Sequence, residues 1–306
     1  EAHPYHNTGP FPLSFFFSAI VSVDVLDPMT VKFTLNAPYA PFLSNLAYPT
    51  GLIVSPDAVA KHGTDFGRNP SGTGAFKFGE WRSNEAVVVE ANSSHWEGAP
   101  KLQAVVFRPI TDANTRTAEM LAGGIDMMVE VPPVALSKFQ GDGYTVHEQA
   151  GPHVWFLILN AKEGPFSDVR VRQAANYAIN KEAIVNDVLE GTAAVAAGPT
   201  PPAFAWAYNN SLEPYPYNPE KARQLISEAG ADGAELTFFV TEGGSGMLDP
   251  VAMGTAIQAD LQAVGLKVNI ETYEWNTFLG EVNPGLEGKA DMAEMAWMTN
   301  DPDTLP

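Results

Sequence analysis

Between Val21 and Leu35 the stretch VSVDVLDPMTVKFTL alternates apolar and polar side chains with period two and is broken at Asp27-Pro28. That pattern predicts two strands joined by a tight turn. Residues 37–45 then read as a loop entering a short helix, and Ser55-Pro56 opens a helix to Lys61, with serine as cap and proline at the first helical position. The glycine-rich segment NPSGTGAF (69–76) is a turn leading into strands at 76–81 and 86–91. A strand at 105–109, a helix at 112–122 and the short apolar run 125–131 follow, a strand, helix, strand order that predicts mixed α/β layers.

The second half repeats this grammar. A strand is expected at 153–160 and one long helix over 168–190, in which Val171, Ala174, Ala175, Ala178 and Ile179 recur at helical spacing and Ile184 and Val188 extend the face up to Gly191. Asn218-Pro219-Glu220 starts a helix that Gly230 stops. Strands at 236–240, 267–272 and 291–298 and a helix at 255–264 ended by Gly265 complete the pattern.

The chain has 306 residues, enough for two or three lobes, since single cores stop growing near about 250–300 residues. Lys and Arg total 17 against 36 Asp and Glu, a formal charge of −19, which argues against a phosphate-backbone surface and so against nucleic acid. Cysteine is absent, which removes thiol nucleophiles, zinc–thiolate sites and disulfides together. No stretch approaches the ~18 uninterrupted apolar residues of a membrane span, and the start Glu1-Ala2-His3-Pro4 carries no targeting pattern.

Candidate chemistry is sparse. The loop around Thr73-Gly74 lacks the Lys-Ser/Thr of a nucleotide-binding loop and precedes a strand, so it reads as a turn. His3 and His6, with His62, His95, His147 and His153, are scattered where a metal site needs three or four convergent ligands. Neither a metal nor another cofactor is expected. Asp301 with Asp303, and Glu271 with Glu274, are the carboxylate pairs a hydrolase would need; Gly244-Ser245-Gly246 lacks the spacing of a nucleophile elbow. Of six tryptophans, Trp297 stands apart, because it ends a strand and leads into the polar loop 299–303, and strand-end loops of α/β lobes bind ligands.

Six ordered blocks carry a family resemblance: NPSGTGAFKFGEW (69–81), PFSDVRVRQAANYAINKEAIV (165–185), GPTPPAFAWAYN (198–209), YNPEKARQLISEAG (217–230), AIQADLQAVGLKVNIETYEWNTFL (256–279) and DMAEMAWMTNDPD (291–303). Together they resemble the family 5 solute-binding proteins of dipeptide, oligopeptide and nickel ABC importers. The resemblance implies an α/β fold of the three-lobed, type II periplasmic binding protein kind, with mixed sheets and incomplete at both ends. Residues 1–48 would end the small second lobe, 49–152 belong to the first and 153–306 form most of the third. It implies a protein of the periplasm, free or lipid-anchored outside the cytoplasmic membrane. There, as a monomer without catalytic activity, it would enclose a peptide or other small polar solute by hinge closure and deliver it to a membrane permease. A nickel chelate or a sugar is the alternative solute, and a carboxylate-dependent hydrolase the alternative class.

In dipeptide-binding members an Asp three residues after the Trp of the last block pairs with the peptide ammonium, and an Arg ahead of the I-Q-A-D helix pairs with its carboxylate. Here the first position is Asn300, in a shortened loop, and the second falls in 241–246, which contains no Arg. The departure argues against a free dipeptide zwitterion. Asp301 is expected to take over the ammonium contact, or with Asp303 merely to cap a turn, and the Gly243–Gly246 turn to offer backbone N–H groups to an anion. The candidate ligand-binding residues are therefore Trp297, Met298, Thr299, Asn300, Asp301, Gly244 and Gly246.

Overall fold

The structure is a computed structural model that describes residues 14–141, 143–244 and 246–302. It contains two compact units, Glu1–Ile110 and Thr111–Pro306.

In the first unit the alternating stretch forms the antiparallel hairpin β1 (Ile20–Asp27) and β2 (Thr30–Leu35), closed by the Met29 N–H donating to Asp27 Oδ1 at 2.8 Å. Helix α1 (Phe42–Ala47) meets it through Phe42, edge-on to Phe33 at 5.3 Å. Helix α2 (Pro56–His62) begins where Ser55 predicts, its hydroxyl accepting the Ala58 N–H. Strands β3 (Phe76–Arg82), β4 (Ala86–Ala91) and β5 (Ala104–Phe107) form an antiparallel sheet in that order. The 69–76 turn at its entry is held by Asn92 Nδ2 donating to the Gly74 carbonyl at 3.1 Å.

The second unit opens with α3 (Ala113–Leu121), capped by Asp112. The strand expected at 125–131 does not form. Met127 and Val129 are exposed and Glu130 has a positive φ of 56°, so the apolar run has neither a sheet to pair with nor a core to enter. Strand β6 (His153–Leu159) follows.

The single helix expected over 168–190 is broken. Helix α4 (Val169–Ala178) ends as Ile179 turns extended, and the Asn180 side chain caps a new turn, α5 (Lys181–Ala183), continued by a π-helical turn at Ile184–Val188. Asn180 competes for the backbone as a cap, and its own N–H donates to Asp260 Oδ2 at 2.8 Å, so tertiary contacts fix the break. The apolar face survives the break: Val171, Ala174, Ala175, Ala178, Ile179 and Ile184 are all buried.

Helix α6 (Pro219–Ala229) ends at Gly230, whose φ of 69° is the left-handed cap expected there. Strand β7 (Glu235–Thr241), helix α7 (Pro250–Ala263), strand β8 (Lys267–Tyr273), helix α8 (Trp275–Val282) and strand β9 (Met292–Met298) complete the unit. Helix α7 starts five residues before the predicted 255, because Asp249 caps it and Pro250 fits its first turn. Helix α8 is additional to the elements expected from the sequence and is capped by Glu274 accepting the Asn276 and Thr277 N–H groups.

The sheet order is β6-β9-β7-β8, with β7 parallel to both neighbours and β6 antiparallel to β9. Strand β7 passes through α7 to β8 on one side, and β8 returns through α8 to β9 on the other. The helices cover opposite faces. One core joins Val240, Val268 and Met292 to Ile257 and Leu261 of α7 and to α4 and α6; the other joins Phe239, Ala293 and Met295 to Phe278 and Val282 of α8. Buried apolar layers on both sides explain why β7 and β9 read as nearly continuous apolar runs. The close fit of α7 on β7 is made at Gly254, where a Cβ would come within 2.8 Å of Val240 Cγ2.

Candidate functional site

Adjacent parallel strands whose connections leave in opposite directions open a crevice at their carboxyl ends, where α/β folds bind ligands. In the second unit β7 and β9 are adjacent parallel strands, and the loops that follow their carboxyl ends are the candidate site. Their main-chain pairing is short, with only Phe238↔Met292 and Phe239↔Ala293 in register. At one end Asp291 extends the junction, its Oδ2 accepting the Thr237 N–H at 2.8 Å. At the carboxyl end Glu294 Oε1 accepts the Thr241 N–H at 3.1 Å, so a side chain stands where the ladder would continue.

Beyond β7 the glycine turn begins. Thr241 is fully buried; its hydroxyl donates to the Gly243 carbonyl at 2.7 Å and accepts the Gly243 N–H at 3.3 Å. Gly244 has a φ of 109°, and a Cβ there would overlap the Trp275 indole at the start of α8. Gly246 has a φ of 73°, and a Cβ there would lie 3.0 Å from His153 Nε2. Both positions favour glycine by backbone conformation, and at Gly244 the close approach of the indole adds to it.

Beyond β9 the second loop begins. Strand β9 runs one residue past Trp297, to Met298, which pairs with His153 of β6. His153 thus touches the glycine turn and neighbours the β9 end, bringing Gly246 and Met298 to one place. Thr299 is buried, and both its N–H (2.9 Å) and its hydroxyl (2.8 Å) donate to the Pro152 carbonyl, so its polar groups clamp the loop to β6. Trp297 points to the α8 face, since it alternates along β9 with Ala293 and Met295, which pack against Phe278 and Val282. Its Nε1 is buried and has no hydrogen-bond partner among the described residues, a condition that costs about 1–3 kcal/mol. Asn300 and Asp301 are half-buried; Asp303, Ser245, His3 and His6 lie outside the described residues.

His153, Trp275, Thr241 and Glu294 were not singled out for this site from the sequence. The one available signal was Glu294, a lone acid in the apolar run MAEMAWM. Burial, reinforced by Asp249 nearby, pushes its carboxyl up to about 8 against the Thr241 hydrogen bond, so it is largely protonated at neutral pH. Of the carboxylates weighed for catalysis, Glu271 accepts from the Tyr273 hydroxyl at 2.7 Å, and Glu274 caps α8. Among the described residues no group of three or more His, Asp or Glu side chains could hold a metal ion, and no helix is long and apolar enough to cross a membrane.

A helix-covered, mostly parallel sheet with a glycine turn and a polar loop at the carboxyl ends of adjacent strands defines an α/β ligand-binding architecture. Residues 4–306 match the family described as bacterial extracellular solute-binding proteins, family 5 Middle, and the chain belongs to that family. It is 34% identical over 307 residues to heme-binding protein A of Haemophilus influenzae, covering 94% of this chain and 55% of that protein. It is 34% identical over 277 residues to the glutathione-binding protein GsiB of Salmonella paratyphi A, covering 89% of this chain and 52% of that protein. The chain thus spans about half the length of these curated relatives. Among solved structures it superimposes with a TM-score of 0.85 and 32% identity on the ABC transporter-associated periplasmic binding protein DppA from Helicobacter pylori in complex with the peptide STSA, covering 96% of this chain and 57% of that one. These relatives are binding proteins rather than enzymes, and the likeness supports the expected periplasmic binding protein fold.

Proposed function

We propose that the chain belongs to an extracytoplasmic solute-binding protein that captures a peptide or peptide-like solute for an ABC importer, without turning it over. The observation that carries this reading is the meeting of the glycine turn after β7 with the end of β9 at His153, beside the carboxyl ends of two adjacent parallel strands. Gly244 and Gly246 bring Trp275 and His153 against the turn; Trp297 and Met298 supply apolar area; Asn300 and Asp301 supply polar contacts, and Thr299 holds their loop to Pro152. Charge-assisted contacts with Asp301 suit an ammonium group. The lobes at 1–48, 49–152 and 153–306 close about the solute by a hinge, and the closed form docks on a membrane permease. The protein acts as a monomer in the periplasm or on a lipid anchor outside the cytoplasmic membrane.

The missing Arg in 241–246 favours solutes other than a free dipeptide, and relatives named for haem and glutathione widen the range to other polar organic solutes or metal chelates. A carboxylate-dependent hydrolase is disfavoured by the engagement of Glu271 and Glu274. Native mass spectrometry of the full-length protein, with identification of what copurifies, tests the proposal. A peptide or peptide-like solute is the expected result, a metal chelate or sugar changes the substrate within the class, and reproducible turnover of the solute overturns it.

A further inference from the structure

Glu294 is 4% exposed in the strand that holds the middle of the sheet, facing the α7 side with Met292 and Ala296 and opposite Leu157 of β6. A carboxyl group buried there is costly, and an aliphatic side chain would pack at least as well. What the carboxyl does is specific. Main-chain pairing between β7 and β9 stops at Phe239↔Ala293, and Glu294 Oε1 takes the Thr241 N–H in place of a backbone carbonyl. Thr241, held at its N–H, uses its hydroxyl in both directions on Gly243, and the turn that abuts Trp275 and His153 starts from that residue.

We infer that Glu294 is a positioning residue for solute capture: its carboxyl wedges β7 from β9 and, through Thr241, sets the 243–246 glycine turn. The inference rests on the reading above for the turn's part in solute binding, but the mechanical link from Glu294 to the turn stands apart from the identity of the solute. A methionine at 294 would fill the volume and leave the Thr241 N–H without its acceptor. A glutamine would keep an acceptor oxygen.

Amide hydrogen exchange on the full-length, ligand-free protein tests the link, with the tetrapeptide Ser-Thr-Ser-Ala as a binding probe in parallel. For Glu294→Met, exchange at Thr241–Gly244 is expected to rise on the order of tenfold while β6 and β8 stay protected, and probe affinity to fall by about the same factor. Glu294→Gln is expected to hold both within about threefold of wild type. Unchanged exchange at Thr241 in a folded Glu294→Met protein overturns the inference. If that variant does not fold, wild-type exchange decides, since loop-like exchange at Thr241 also overturns it and strand-like protection supports it. Failure of the wild type to bind the probe counts against the peptide reading instead, and leaves the exchange result to decide this one.

Discussion

The imidazole of His153 lies directly over Gly246, so close that a Cβ on residue 246 would stand 3.0 Å from Nε2. Two segments nearly a hundred residues apart meet there, and the contact joins the β7 turn to the edge strand β6, where His153 pairs with Met298 of β9.

That contact makes the two site glycines unequal. Gly246→Ala meets a side chain that is exposed and can swing away, so its cost is mainly the φ of 73°, about 1 kcal/mol. Gly244→Ala meets the indole of Trp275 as well as a φ of 109°, and is expected to cost about 2 kcal/mol or more. Urea unfolding of the two variants should rank them in that order, with a change in Trp275 fluorescence only for the second.

Stability should depend on the Glu294 proton. Its folded-state pKa of about 8 lies above the ordinary 4.5, so between those values the folded chain holds a proton that the unfolded chain releases. Its contribution to stability is full below about pH 4.5 and is lost as pH rises to about 8, at up to about 1.4 kcal/mol per pH unit. Chemical denaturation across this range should show the decline in the wild type and a flatter profile in Glu294→Gln.

Thr299 is expected to act through structure. Thr299→Val removes the hydroxyl that donates to the Pro152 carbonyl at 2.8 Å while keeping shape and the backbone hydrogen bond. A stability loss of about 1 kcal/mol should follow, with solute affinity within about threefold of wild type. Thermal unfolding and calorimetric titration with the copurified solute separate the two effects.

Asp301 is the opposite case. Asp301→Ala is expected to weaken binding of an ammonium-bearing solute by tenfold or more, roughly the worth of one charge-assisted hydrogen bond. Intact affinity would assign Asp301 to turn capping alone, and isothermal titration of the variant distinguishes the outcomes.

Much of this molecule is written locally. The β1–β2 hairpin follows from period-two alternation around Asp27-Pro28, and the starts of α2 and α6 follow from Ser55-Pro56 and Asn218-Pro219, because a cap and a fixed proline φ act on their own neighbours. The loops at Gly244–Gly246 and Trp297–Asp301 could be singled out as candidates because glycines and polar strand ends announce themselves. Tertiary structure decided the rest. The apolar run at 125–131 found no strand to pair with, and the helix at 168–190 broke at Asn180, whose N–H is held by Asp260 eighty residues away. Likewise, His153 and Trp275 become neighbours of the site glycines, and Glu294 a wedge between β7 and β9, only through the sheet order. A sequence pattern reports the period of an element, whereas register and close approach are fixed by which elements pack together, and that is settled by burial shared across the whole unit.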